Sequence, residues 1–116
     1  MSRIVRTEAN PVLSAAVEYH GFVYLQGVVA EDLTQDITGQ TRAVLARIDG
    51  LLEEHGTDNT RLLQAQLWLK HISDRPALNA VWTAWLPEGA APARACVQAE
   101  LADPHALVEI MITACK

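Results

Sequence analysis

The sequence predicts an α+β domain, with one sheet of about six strands and two helices packed on one face of it. Three observations carry that reading. Short apolar runs with two-residue alternation occur toward both ends of the chain, a single amphipathic helical stripe fills the stretch after Asp36, and turn residues punctuate the boundaries. The element order they give is β-β-β-α-β-α-β-β. At 116 residues the chain is expected to be one domain over residues 1–116, with enough surface removed on folding for a core that needs no staples.

Ile4 to Thr7 alternates weakly and is read as a short strand. Ala15 to Glu18 and Phe22 to Gln26 are two strands joined at Tyr19-His20-Gly21, where the glycine supplies the turn. Gly27 follows at once, and a glycine at a strand end lets another group approach the backbone. Thr34 to Asp36 supplies a helix cap. Ile37, Thr41, Val44, Ile48 and Leu51 then recur at steps of three and four, until Gly56 stops the helix.

Arg61 to His71 is the clearest long strand. Leu63, Ala65, Leu67 and Leu69 fall on one face; Leu62, Gln64, Gln66, Trp68 and Lys70 fall on the other. Ser73 or Asp74 caps a shorter helix whose apolar side is Leu78, Val81, Trp82 and Trp85, and Pro87-Glu88-Gly89 ends it. Ala93 to Leu101 and Ala106 to Ala114 are the last two strands. The final one is apolar on both faces, with Leu107 and Met111 opposite Val108, Ile110 and Ile112. Two helices on one side leave the other side without cover, so another copy of the chain is expected to supply it.

Composition removes several function classes. Nine basic against fourteen acidic side chains give a net charge of −5, with none of the basic striping that a nucleic-acid binder carries. No apolar run approaches the roughly eighteen residues of a membrane span, and Met1 to Arg6 is too short and polar for a signal peptide. No membrane partner and a cytoplasmic location are therefore expected. Two cysteines make no disulfide framework, four scattered histidines show no ligand spacing, and no phosphate-loop motif is present. No metal is expected, and nucleotide binding through a phosphate loop has no support.

Two charges fall among apolar neighbours. Glu109 lies inside Leu107-Val108-Glu109-Ile110-Met111, where an ionised, unpaired carboxylate costs several kcal/mol if buried. Arg94 opens the preceding strand after Ala90-Ala91-Pro92-Ala93 and shares a face with Cys96 and Gln98. If those two strands form a hairpin about Asp103-Pro104, Glu109 faces Gln98 and lies about 13 Å along the strand from Arg94. Two readings stay open. The pair are interface charges, or they are a guanidinium that holds a carboxylate and a glutamate that moves a proton. Cys96, Trp82 and Trp85 read as core residues on their own.

Pro92-Ala93-Arg94-Ala95-Cys96-Val97-Gln98-Ala99, then Leu101-Ala102-Asp103-Pro104 and Val108-Glu109-Ile110, resemble the C-terminal signature of the Rid (reactive intermediate deaminase, YjgF-like) family. The fifteen-residue spacing from Arg94 to Glu109 is the family's own. Val23-Tyr24-Leu25-Gln26-Gly27, Gln40-Thr41-Arg42-Ala43-Val44-Leu45 and Leu78-Asn79-Ala80-Val81-Trp82 are similar to further family segments. The Leu-x-Asp-Pro spacing looks most like the YoaB-like branch.

The resemblance implies a chorismate-mutase-like fold, a homotrimer with ligand clefts between subunits, and hydrolysis of 2-imino acids to 2-keto acids and ammonia without a cofactor. In that scheme Arg94 pairs with the substrate carboxylate and Glu109 handles the proton of the attacking water. The backbones of Cys96 and Gly27 contact the ligand. Many members carry Gly-Pro-Tyr-Ser near the N-terminus; here Asn10-Pro11-Val12-Leu13-Ser14 keeps Ser14 and puts Leu13 where the aromatic ring stands. Beside the deaminase stand two alternatives: a non-catalytic regulatory protein that binds a small carboxylate, and a chorismate-mutase-type enzyme, which would want more cationic groups than Arg94.

Overall fold

A computed structural model describes residues 3–116; Met1 and Ser2, which begin the polar N-terminal stretch, lie outside the described residues. The elements are β1 (Val5–Thr7), β2 (Ala16–Tyr19), β3 (Phe22–Leu25), α1 (Ile37–Glu54), β4 (Leu62–Leu69), α2 (Arg75–Trp85), β5 (Ala93–Gln98) and β6 (Val108–Cys115). Their order is the one the sequence predicts. No helix of the described residues is long and apolar enough to cross a membrane.

Local chemistry explains most boundaries. The β2–β3 turn places His20 at φ 52° and Gly21 at φ 80° between the paired Tyr19 and Phe22. Two left-handed residues in a two-residue loop match the right-handed twist of the strands they join. Asp36 caps α1, its carboxylate accepting from the Gly39 amide at 2.9 Å. Gly56, at φ 73°, ends the helix as expected. Between them Val44, Ile48, Leu51 and Leu52 are fully buried, each contributing about 1.5–3 kcal/mol by leaving water.

The α2 start departs from expectation. A short 3-10 turn, Ile72–Asp74, precedes the helix, and neither Ser73 nor Asp74 caps it with a side chain. Asp74 already has helical dihedrals (φ −82°, ψ −2°), so its carboxylate cannot reach back to the first-turn amides as an extended cap residue does.

The six strands form one mixed sheet in the order β1-β2-β3-β6-β4-β5. The hairpin of the last two strands does not exist. β4 stands between them and β5 runs parallel to β4, with Arg94 opposite Ala65 and Val97 opposite Trp68. A parallel pair needs a long crossover, which α2 provides. The chain then returns to insert β6, the more apolar strand, between β3 and β4. An irregularity between Leu62 and Gln64 supplies a second correction. Leu62 faces the core and Leu63 is 42 % exposed, the reverse of the predicted alternation, which resumes correctly at Ala65. One extra residue in a strand flips the side chains on one side of it.

Both helices cover the same face. Val23, Leu25, Ala65, Leu67, Leu69, Ile110 and Ile112 are buried there against Val44, Leu45 and Ile48 of α1 and Leu78 and Trp82 of α2. The opposite face stays open. Phe22, Tyr24, Val97 and Met111 are exposed on it, around a depression of about 540 Å³ lined by Gln64, Gln66, Trp68, Val97, Met111 and Thr113.

Candidate functional site

Glu109 and Gly27 meet on the open face. The strand continuing from β3 bridges β6 at Val28 and Ile110, with both backbone bonds formed. This brings the backbone of Gly27 against the Glu109 carboxylate. A β-carbon at position 27 would overlap Oε2 and stand 3.2 Å from Cδ. An added methyl here would push the carboxylate out of its present position, so the bare Cα of glycine is what allows this close approach. Asn10 shapes the loop that leads into β2: its Oδ1 accepts from the amides of Val12 and Leu13 at 2.8 and 3.0 Å. Ala15 then accepts from the amide of Gln26, the residue before Gly27, which holds Ser14 close to that strand. Leu13 is 47 % exposed and takes no part in the protomer's core.

Arg94 and Cys96 lie elsewhere. Both are half-buried on the helix-covered face of β5, opposite Ala65 and Leu67. The Arg94 guanidinium stands over the Trp82 ring of α2, 5.6 Å from its centroid. Register fixes its relation to Glu109. Arg94 aligns with Ala65 and Ile112, whereas Glu109 aligns with Trp68, so the two residues belong to opposite faces. Two strand spacings across and three residues along put their Cα positions on the order of 14 Å apart. Neither forms an ion pair among the described residues, where the pairs are His55–Glu18 and Lys116–Glu18. One protomer therefore brings Gly27 and Glu109 together, with Ser14 in the loop just before β2, and holds Arg94 with Cys96 apart from them.

Two more residues, Gln40 and Trp82, support these halves without having been singled out for it in the sequence. Gln40 is fully buried at the start of α1. Its Nε2 lies 3.1 Å from the carbonyls of Gln35 and His105 and 3.3 Å from that of Leu33, while its Oε1 accepts from the Leu107 amide at 2.9 Å. It thereby fixes the backbone two residues before Glu109. Trp82 backs Arg94. Asn79, one turn before Trp82, has a buried Oδ1 without a partner. A buried glutamine in a helical stripe is the one signal that the sequence offered.

A cavity of about 600 Å³ borders Gly27, between Gln26–Val29 and the Ala43 and Arg47 positions of α1, with Glu31 at its rim. It touches neither Arg94 nor Glu109.

Residues 4–116 match the endoribonuclease L-PSP family. The RutC family protein YoaB of Escherichia coli K12 is 40 % identical over 111 residues, 96 % of each chain. The chain belongs to the Rid (YjgF-like) family. Within it the chain is YoaB-like. The crystal structure of a YjgF family member from Neisseria meningitidis superposes with a TM-score of 0.92 at 42 % identity, covering 98 % of this chain and 95 % of that one. A further Rid relative, from Acinetobacter baylyi, is named 3-aminoacrylate deaminase RutC; it is 34 % identical over 101 residues, 82 % of this chain and 79 % of its own.

Proposed function

We propose that this Rid protein hydrolyses 2-imino acids to 2-keto acids and ammonia, in clefts that two copies of the chain build together. The observation that carries the proposal is the split of the two charges. Arg94 and Glu109 stand on opposite faces of one sheet, each without a charged partner among the described residues. Within a protomer they cannot act on one small molecule. A head-to-tail ring of three copies, each setting the β5 side against the open face of the next, brings one arginine to one glutamate at each junction. Exposed Phe22, Tyr24, Val97 and Met111 give that open face the apolar character of an interface. The RutC relative's name supports the reaction class.

The chemistry follows from the residue types. Arg94 offers a planar fork to a carboxylate and forms two parallel hydrogen bonds with it. Backbone groups at Gly27 and Cys96 border the imine, with Ser14 and Leu13 near the entrance on the Gly27 side. Glu109 takes a proton from water as the water oxygen bonds to the imine carbon. That proton then passes to the carbinolamine nitrogen; as the C–N bond breaks, the hydroxyl proton moves to Glu109 and on to the departing ammonia, leaving a 2-keto acid and ammonium. A protonated imine is electrophilic enough to need no metal or organic cofactor.

The test is turnover of 2-iminobutyrate released by a threonine dehydratase, followed as 2-ketobutyrate. Catalysed release above the spontaneous rate is expected. Binding of 2-ketobutyrate without acceleration would favour a regulatory protein that only holds a small carboxylate.

A further inference from the structure

We infer that Trp82 is a positioning residue for Arg94, bracing the face of the guanidinium so that its edge is presented to a ligand carboxylate; this rests on the reading of Arg94 as the carboxylate clamp. An arginine left loose on an edge strand would sample many rotamers, and its affinity for a small anion would carry the cost of fixing them. Here it is held. Arg94 lies 5.6 Å from the Trp82 centroid, and Ala65, its partner on β4, is small enough to let the long side chain lie over toward α2.

Trp82 is itself immobilised. It is only 4 % exposed and packs on Trp85 with ring centroids 5.4 Å apart. Trp85 in turn donates from Nε1 to both carboxylate oxygens of Asp49 on α1, each at 3.0 Å. The brace thus runs from α1 through α2 to β5.

The choice of an aromatic brace has a chemical reason. A carboxylate partner would fix Arg94 equally well but would occupy the N–H fork that the ligand needs. A ring instead attracts the cation through its electron-rich face and consumes no N–H donor. An aliphatic side chain of similar bulk would fill the space without that attraction.

The test compares Trp82→Phe and Trp82→Leu in the full chain, in its native assembly, using 2-ketobutyrate affinity by calorimetry together with kcat and KM for 2-iminobutyrate. Trp82→Leu is expected to weaken affinity and raise KM by about three- to thirty-fold with kcat unchanged, and Trp82→Phe to recover most of the loss. Should Trp82→Leu not fold, Trp82→Phe is read by the Arg94 Nε–H resonance, identified by its loss in Arg94→Lys. That resonance should move, reporting a changed ring over the guanidinium, and a fixed resonance would overturn the inference. Unchanged affinity in a folded Trp82→Leu protein, or equal falls in kcat and kcat/KM, would also overturn it. A wild type that binds 2-ketobutyrate but hydrolyses no imine would sink the deaminase reading while leaving the Trp82 effect measurable as affinity. A wild type that binds no carboxylate would sink both.

Discussion

β6 and β5 each carry one of the two charges, and they hold them in different ways. β6 lies inside the sheet between β3 and β4, with Val108, Ile110, Ile112 and Ala114 buried along one side. Glu109 is wedged there against a glycine, and Gln40 pins the backbone just ahead of it. β5 is an edge strand paired on one side only. Arg94 is steadied by an aromatic ring rather than by a second strand. The residue proposed to handle the proton thus sits on an internal strand, and the one proposed to bind the anion sits on an edge strand. An edge is where a neighbouring copy can reach, which makes the contrast a statement about assembly.

The largest effects should come from removing the charges themselves. Glu109→Gln should cost about 10²–10⁴-fold in turnover while 2-ketobutyrate still binds, since the amide cannot take the water's proton. Arg94→Ala should remove both binding and turnover, and Arg94→Lys should leave little of either, because an ammonium lacks the fork. Steady-state kinetics and calorimetry on the folded variants check this. Wild-type turnover in Glu109→Gln or Arg94→Ala would dissolve the assigned roles.

Gly27→Ala comes next. The added methyl falls on the Glu109 carboxylate, and a displacement of about 1 Å should lower turnover by roughly 10²-fold. Affinity for 2-ketobutyrate, set by the β5 side, should fall far less. Equal losses of affinity and turnover would mean that the two halves do not have separate tasks.

How much of this was legible without coordinates follows the same division. The stripe Val44-Ile48-Leu51, a helix cap within Thr34 to Asp36 and the Gly21 turn are local features; the structure reproduces them and puts the cap on Asp36. β6 was recognisable as a strand needing cover on two faces. Its place in the sheet was not, because a hairpin with β5 is the shortest connection and nothing local forbids it. The α2 crossover was the clue, since a strand-helix-strand run favours a parallel pair and takes β5 out of antiparallel reach. The Leu62–Gln64 irregularity leaves no trace in residue type either. For the site, Arg94, Glu109, Gly27 and Cys96 were readable as a set through the family signature. Their separation onto opposite faces needed strand order. Trp82 reads as core and is core; its second contact, under Arg94, was not legible, because an aromatic on an amphipathic helix has the same spacing whether it backs a leucine or an arginine.

Leu13 tests the Gly27 side more gently. A planar aromatic wall is worth about 0.5–1.5 kcal/mol beyond area burial, and leucine lacks it. The wild type is expected to favour longer or branched imines over 2-aminoacrylate, and Leu13→Tyr to shift preference toward small ones. The comparison is kcat/KM for imines derived from serine, threonine and leucine. An unchanged ranking would take residue 13 out of the pocket.

A third region serves as a control for both halves. Glu18 accepts hydrogen bonds from His55 Nδ1 at 2.7 Å and Lys116 Nζ at 3.1 Å. Burial pushes its carboxyl up, but those bonds and charges outweigh burial and hold it below its ordinary 4.5. A carboxyl lowered by folding stabilises the fold above its ordinary value and loses that contribution as pH falls through the lowered one. Glu18→Gln should therefore flatten the decline of Tm below about pH 4.5 while leaving kcat/KM at neutral pH unchanged. An equally steep decline in the variant would remove Glu18 from the acid response.

The claim that two copies build each site is tested most directly by mixing inactive subunits. Arg94→Ala and Glu109→Gln proteins, each inactive alone, would be unfolded together in equal amounts and refolded into mixed rings. A junction is native when the copy supplying Glu109 retains it and the neighbour supplying Arg94 retains that. Chance mixing makes half of each, so about a quarter of wild-type 2-iminobutyrate turnover should return. No recovery, in rings shown by mass spectrometry to contain both subunits, would place the whole site within one chain and contradict the account.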